Sequence, residues 1–371
     1  MPQRPAAALV TTLVTGAAVT QAHAIEIVMD YSLDSNNFFD PSTADGLAAR
    51  TAMQAVADRY SRIITSSLGA AEINDVNDAR IGFINPSTGS SIQISGAASA
   101  ASDSLIGIGA AEADIYLPGG RTFEADTLTI FAGATSLGAA GLGGSGSGQN
   151  ITTVFDDPNS HLNRGFNVGS GSLPTWGGFV SFDIGRDWNF SLDTATVLGQ
   201  SDFYSIAMHE VGHVLGLAID VSDFTDDVTG DQYFGPNTIA AANADNGTSL
   251  TDIDLVAANN LHFADNDGNG STIPADPDAI QSFIFELGDP NLVGTVGLGT
   301  LQDLLMEPIQ NTFFNLSDPT QSITRTELTN VDVASLQDVG WTVIPEPSSG
   351  LLVMTGIALL ARRRRDVQPQ D

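Results

Sequence analysis

Ser205-Ile206-Ala207-Met208-His209-Glu210-Val211-Gly212-His213-Val214-Leu215-Gly216-Leu217 is the stretch around which this chain is organised. It predicts a helix, and two imidazoles four residues apart on a helix lie one turn above each other on the same face. That spacing suits a metal, because both rings can present a nitrogen to one Zn²⁺ at about 2.0–2.1 Å. Glu210 follows about 100° further round the helix and faces the open side of such a metal, where it can take a proton from a zinc-bound water. Ile206, Met208, Val211, Val214 and Leu215 form an apolar flank that seats the helix in a core. Gly216 supplies the positive φ that a sharp helix exit needs. With five His and 44 acidic residues in 371, chance alone would produce His-acid-x-x-His about 0.01 times per chain.

The composition is that of a globular chain, 42% hydrophobic, long enough for one large or two medium domains. Its charge is lopsided: 44 acids face 13 basic residues, all of them Arg. Such a surface repels nucleic acid and anionic membranes, so no nucleic-acid partner is expected. Cysteine is absent, which excludes disulfides, thiolate metal clusters, thiol catalysis and a cysteine-based latency switch.

Both ends carry targeting patterns. Arg4, the apolar run from Ala6 to Val19 and Ala22-His23-Ala24 have the layout of a secretory signal over residues 1–24, so His23 leaves with it. At the other end stand Pro345-Glu346-Pro347, a short apolar run from Gly350 to Ala361, and Arg362-Arg363-Arg364-Arg365. Twelve residues are short for a membrane-spanning helix, which needs about 20, yet the Arg block is a strong positive-inside stop. This stretch, residues 345–365, closely resembles the PEP-CTERM sorting signal of exported Gram-negative proteins, with 366–371 as a tail. The resemblance implies transient anchoring through this segment in the inner membrane, processing by an exosortase-type machinery, and delivery to the cell surface or extracellular matrix. Removing both ends takes away five of the Arg but only Glu346, Asp366 and Asp371. The acidity therefore belongs to residues 25–344.

Within that region, Ile25 to Tyr31 alternates like a strand, and Ala44 to Ile64 has the spacing of an amphipathic helix. Leu105–Ile108, Ala113–Leu117 and Leu128–Ala132 are short apolar runs suited to strands of a twisted sheet. Ser136 to Gly148, rich in Gly, Ser and Ala, is expected to be a surface loop; no Gly-Lys-Ser/Thr follows it, so it is no phosphate loop. Gly177 to Asp183 is a compact strand just ahead of the metal helix. An exposed edge on it, along Gly178–Asp183, would let a peptide substrate add itself as a further strand. Thr329-Asn330-Val331-Asp332 begins a helix with a capping box, and Gly340 ends it.

A catalytic zinc usually has three protein ligands. In the compact metzincin pattern His-Glu-x-x-His-x-x-Gly-x-x-His/Asp the last position here is Ile219, which cannot bind metal, and Asp220 comes one residue late. Three candidates follow: Asp220, as a shifted ligand or a partner of one; Glu286; and His262, the strongest, which with His161 completes the set of imidazoles left in the mature chain. His161 reads better as a surface or cleft residue than as a ligand.

From the metal helix onward the chain resembles leishmanolysin-like metzincins, in which a long insertion separates the Gly from a third His and a Met-turn follows. The matching pieces are His209 to Gly216, Gln232 to Asn237, Leu261-His262-Phe263 and Leu304-Leu305-Met306-Glu307-Pro308. Gly178–Asp183 with Trp188 resembles the family's substrate-side edge strand, and Thr329 to Trp341 its closing helix. The resemblance implies His209, His213 and His262 as zinc ligands, Glu210 as general base and Met306 as the apolar floor of the site. The chain departs from the pattern in the 48 residues between His213 and His262 and in having no Tyr after Met306 to hold an oxyanion. Asp265, Asp267, Asn269 and Asp276 also carry oxygens at calcium-loop spacing, although Asp stands in the place of the usual terminal Glu and Pro274 and Pro277 forbid a regular exiting helix. A calcium ion there would brace the loop that presents His262.

These readings converge on an α+β, metzincin-like zincin: a twisted mixed sheet and active-site helix in residues 25–217, then a mostly irregular and helical subdomain, 218–344, with the third ligand and the Met-turn. The expected activity is that of an exported zinc endopeptidase. Its rivals are a non-catalytic surface or matrix protein on the same fold, and a zinc amidase acting on non-peptide amides.

Overall fold

The computed structural model describes residues 25–73, 80–95, 113–116, 121–149, 152–153, 176–192, 200–217, 222–230, 232–255, 262–263, 281–283, 285, 301–306 and 326–344. The targeting segments, Leu105–Ile108, His161, Asp220, Glu286 and the acidic calcium-type loop lie outside them. Strand β1 (Glu26–Asp30) leads to helix α1 (Ala44–Ile63). Short strands β2 (Ala71–Ile73), β3 (Arg80–Ile84), β4 (Ser91–Ser95), β5 (Ala113–Tyr116) and β6 (Arg121–Phe123) come next. Then follow β7 (Thr127–Thr135), β8 (Gly141–Ser145), β9 (Ser147–Gln149), β10 (Thr152–Thr153) and β11 (Gly177–Asp183). Helices α2 (Phe203–Val214), α3 (Ser222–Thr225), α4 (Pro236–Asn246) and α5 (Asn330–Asp338) occupy the rest, with short two-stranded and three-stranded pairings between them.

The central sheet is mixed, in the order β1-β7-β11-β8, with β1, β7 and β11 parallel and β8 antiparallel to β11. The α+β, metzincin-like architecture expected above is the one observed. Strands β7 and β11 are buried almost along their whole length, as strands covered on both faces must be. Alternation sorts their side chains: Ile130, Ala132, Val180 and Phe182 face the helical core, while Phe131 and Phe179 face a second core. That second core is aromatic. Phe83 stacks on Phe131 at 4.4 Å between centroids, and buried Trp176 lies 5.4 Å from Phe123 and 5.8 Å from Phe83.

Two expectations are corrected here. Gly178–Asp183 is no edge: β11 is an interior strand, hydrogen-bonded to β7 on one side and β8 on the other. The Gly-rich run from Ser136 to Gly148 is no simple surface loop, because it supplies β8, the edge among the described residues, and the start of β9, which pairs with β3 in a second sheet. Composition misleads because glycine is poor in strands for lack of a side chain to pack. Here that lack is what lets a helix and an indole ring approach the backbone, since a Cβ at Gly146 would overlap the Trp176 ring.

The C-terminal half is tied back by buried polar contacts. Fully buried Arg59 of α1 donates to the Phe285 carbonyl and lies 4.0 Å from Glu327. Helix α4 starts at Pro236 with Gly235 as its cap, so no capping side chain is local. Asp338 of α5 acts in its place, accepting from the Asn237 and Thr238 backbone N–H groups at 3.0 and 2.9 Å. Residues 342–344 run back along the end of α1, where Thr65 N–H donates to Thr342 O and Ile344 N–H to Ile63 O. Among the described residues no helix is long and apolar enough to cross a membrane; Gly350–Ala361 is not among them.

Trp176 is the largest fully buried side chain and joins the two sheets. Trp176→Ala is expected to lower the unfolding free energy by about 3–5 kcal/mol, read from urea titration; a loss below about 1 kcal/mol would place the ring outside the core.

Candidate metal centre

Helix α2 is fixed at both ends. Asp202 caps its start, accepting from the Ser205 N–H at 3.1 Å and the Ser205 hydroxyl at 2.6 Å, and that hydroxyl accepts in turn from Thr326 N–H at 2.8 Å. At its other end the Trp341 indole N–H donates to Leu215 O at 2.8 Å. Tyr60 of α1 donates its hydroxyl proton to Met208 O at 2.8 Å. All twelve residues of the helix are buried, so its polar side chains have few rotamers open to them.

Gly216 takes φ 101°, as its place in the sequence predicts. The reversal sends Leu217 back over the last turn, where its N–H reaches Gly212 O at 3.1 Å. Its carbonyl thereby lies 2.7 Å from His213 Nδ1. His209 has an equivalent partner in Leu305 O, also 2.7 Å from its Nδ1. A carbonyl can only accept, so both Nδ1 atoms carry the proton and both Nε2 atoms are left with lone pairs.

Those two Nε2 atoms lie 3.1 Å apart, and His262 Nε2 lies 3.2 Å from that of His209 and 3.3 Å from that of His213. Burial, then the neighbouring imidazoles, hold His209 well below the usual histidine range. Burial lowers His213 to about 4, and burial followed by His213 lowers His262 to about 3. All three are therefore neutral at ordinary pH. The lone pairs of His209 and His213 face one another and repel, and a proton of His262 Nε2 or a cation at the centre removes that repulsion. Three nitrogens at 2.0–2.1 Å from one tetrahedral Zn²⁺ lie about 3.3–3.4 Å apart, close to the observed spacing. The donor set fits zinc, and these three form the metal-competent cluster found among the described residues.

His262 comes from a segment remote in sequence, held by its neighbour. Phe263 is buried against Tyr233 and Phe224, and its N–H donates to Met306 O at 3.1 Å. Met306 lies beneath the helix. A Cβ at Gly212 would sit 2.7 Å from Met306 Sδ and 3.3 Å from Tyr60 Oη, so a side chain between the two histidines of α2 would force the Met306 side chain to shift. The Met306 turn is held by Asp332 of α5, whose carboxylate accepts from Leu305 N–H at 3.1 Å and Met306 N–H at 3.4 Å. The same carboxylate completes the capping box with Thr329. Sequence reasoning found that box but not the turn it holds; a buried acid that also faces a distant chain segment leaves no local mark.

Glu210 is 7% exposed and points toward β8. Burial raises its carboxyl to about 8, opposed in part by a hydrogen bond from Gly143 N–H. The arrangement thus places an acid-base group beside three convergent imidazoles and a strand that is the edge of its sheet among the described residues.

Residues 144–224 match the family model described as Peptidase_M10: Matrixin. The matched span holds β11 and all of α2 and stops short of His262. It supports a metzincin-type metallopeptidase. No curated protein and no solved structure matches the chain.

Two outcomes follow. Asp332→Ala strips the Leu305 and Met306 N–H groups of their acceptor, and is expected to cost about 2–4 kcal/mol in urea unfolding while weakening zinc affinity; unchanged affinity would mean that Asp332 has no part in the site. In metal-free protein, Glu210 binds a proton more tightly folded than unfolded. Its contribution to stability is full below pH 4.5 and is lost as pH rises through about 8. The melting temperature of wild type is expected to fall across that range more than that of Glu210→Gln, and parallel curves would refute the shift.

Proposed function

We propose that this chain is an exported zinc endopeptidase in which His209, His213 and His262 hold the metal, Glu210 is the general base and Met306 is the floor of the site. The observation that carries the proposal is the convergence of three Nε2 atoms within 3.3 Å of one another, two of them left with lone pairs by carbonyls at Nδ1, next to a buried carboxyl. A zinc ion held there supplies a Lewis acid that polarises the scissile carbonyl and acidifies water next to it. Every other step belongs to the chain. The peptide pairs with the outer side of β8, the edge strand among the described residues, in place of the edge expected on Gly178–Asp183, and its backbone takes up main-chain hydrogen bonds there. With a bound cation favouring its carboxylate form, Glu210 would accept a proton from the attacking water as the new C–O bond forms. It passes that proton to the leaving nitrogen as the C–N bond breaks. Leu305 and Leu217 carbonyls keep the rings of His209 and His213 oriented throughout.

The long separation of His262 from α2 and the Met306 turn support the leishmanolysin-like variant of the metzincin plan. Export through residues 1–24 and sorting through 345–365, by way of an inner-membrane anchor, rest on the sequence of those segments.

Glu210→Gln is expected to bind zinc at the wild-type stoichiometry and to lose about 10²–10⁴-fold in casein hydrolysis. Chelation should abolish the wild-type activity and added zinc restore it. Undiminished hydrolysis by the variant would remove Glu210 from the mechanism; stoichiometric zinc with no peptide cleavage by the wild type would favour the non-catalytic or amidase reading.

A further inference from the structure

The Gly-rich edge strand has a feature that strand formation does not explain. Gly141 and Gly143 of β8 both face α2, and neither has a positive φ. Their backbone conformation is open to any residue, so what requires glycine there is space. A Cβ on Gly141 would stand 2.5 Å from Glu210 Oε1, 2.7 Å from its Cγ and 2.8 Å from its Cδ. A Cβ on Gly143 would overlap the backbone carbonyl of Glu210. Gly144, between them and Ser145, turns the other way toward the Phe179 ring. Two alternate positions of one strand therefore converge on a single residue of the helix, one on its side chain and one on its backbone.

We infer that Gly141 and Gly143 are positioning residues for Glu210: their lack of side chains lets α2 lie directly on the edge strand and fixes the carboxyl against the backbone on which a peptide would pair. The inference rests on the zinc-peptidase reading for its catalytic consequence, but its geometry stands apart from it. The two glycines act differently. Gly141 sets the direction of the Glu210 side chain, which a Cβ would push aside. Gly143 sets the distance between β8 and the helix that carries His209 and His213, so a Cβ there must move the helix itself. Gly143 also donates its N–H to the Glu210 carboxyl, a contact that needs the same close approach.

The test is a set of alanine variants of the full mature protein, measured for zinc stoichiometry, melting temperature and steady-state peptide hydrolysis. Gly141→Ala is expected to keep zinc and KM while losing on the order of 10²-fold in kcat, the size of effect that a small misplacement of a catalytic group produces. Its melting temperature should fall in the wild-type background but not in Glu210→Ala, where the obstructing side chain is gone. Gly143→Ala should lose zinc affinity, and Glu210→Ala should not rescue it. Gly138→Ala is the control, since a Cβ there meets nothing within 4 Å. Additive melting-temperature losses for Gly141→Ala and Glu210→Ala, or an unchanged kcat for Gly141→Ala, would overturn the inference. If no variant, wild type included, cleaves peptides but the melting-temperature coupling appears, the positioning stands and the peptidase reading fails.

Discussion

Everything in this structure that bears on chemistry depends on three imidazole Nε2 atoms held face to face. The lone pairs of His209 and His213 repel unless a proton or a cation lies between them. The fold keeps them together by fixing the opposite edge of two of the rings: a carbonyl at each Nδ1 of His209 and His213 forces the lone pairs inward. Neither carbonyl is held by α2 alone. Leu217 returns where Gly216 reverses the chain, and the turn of Leu305 is held by Asp332 of α5 and by the Phe263 N–H.

This makes the site a junction between the two halves of the chain. Helix α2 belongs to the sheet, packing on β8 and β11, while His262, Met306 and Asp332 come from residues far beyond it. Met306 is central to the junction in a plain steric sense: it fills the place of a side chain at Gly212, so the helix and the turn approach this closely because one of the two surfaces is bare. The same device recurs on the opposite flank, where Gly141 and Gly143 let the helix settle against the edge strand. A buried helix with polar groups can be clamped from two sides only if its neighbours come close, and glycine allows the closest approach that a backbone can make.

The distribution of polarity follows from this arrangement. Glu210 has its carboxyl raised by burial beside the strand edge, and Asp332 is pushed up to about 6 by burial although four donors oppose the shift. One group is left with a proton to exchange and the other is immobilised by its hydrogen bonds. Equal burial thus gives the two acids different work, and the number of fixed donors around each is what separates them.

The sequence by itself determined the local elements. The spacing of His209, Glu210 and His213 on one amphipathic helix, the positive φ of Gly216, the helix over Ala44–Ile63 and the Thr329 capping box are all set by interactions within a few residues, and each appears where the pattern put it. His262 was legible only as the strongest of three candidates, with the nearby Asp220 and the remote Glu286 beside it, because loop length carries no information on where a loop returns. What only the tertiary structure decided was adjacency. It showed that Gly178–Asp183 is enclosed between two strands, that the glycine-rich segment forms the edge, and that Asp332 serves a turn 26 residues before it. Such pairings depend on which surfaces can come close, and in this protein closeness is set by side chains that are missing. An absent side chain leaves no periodicity to read; its effect exists only once another element has moved into the space.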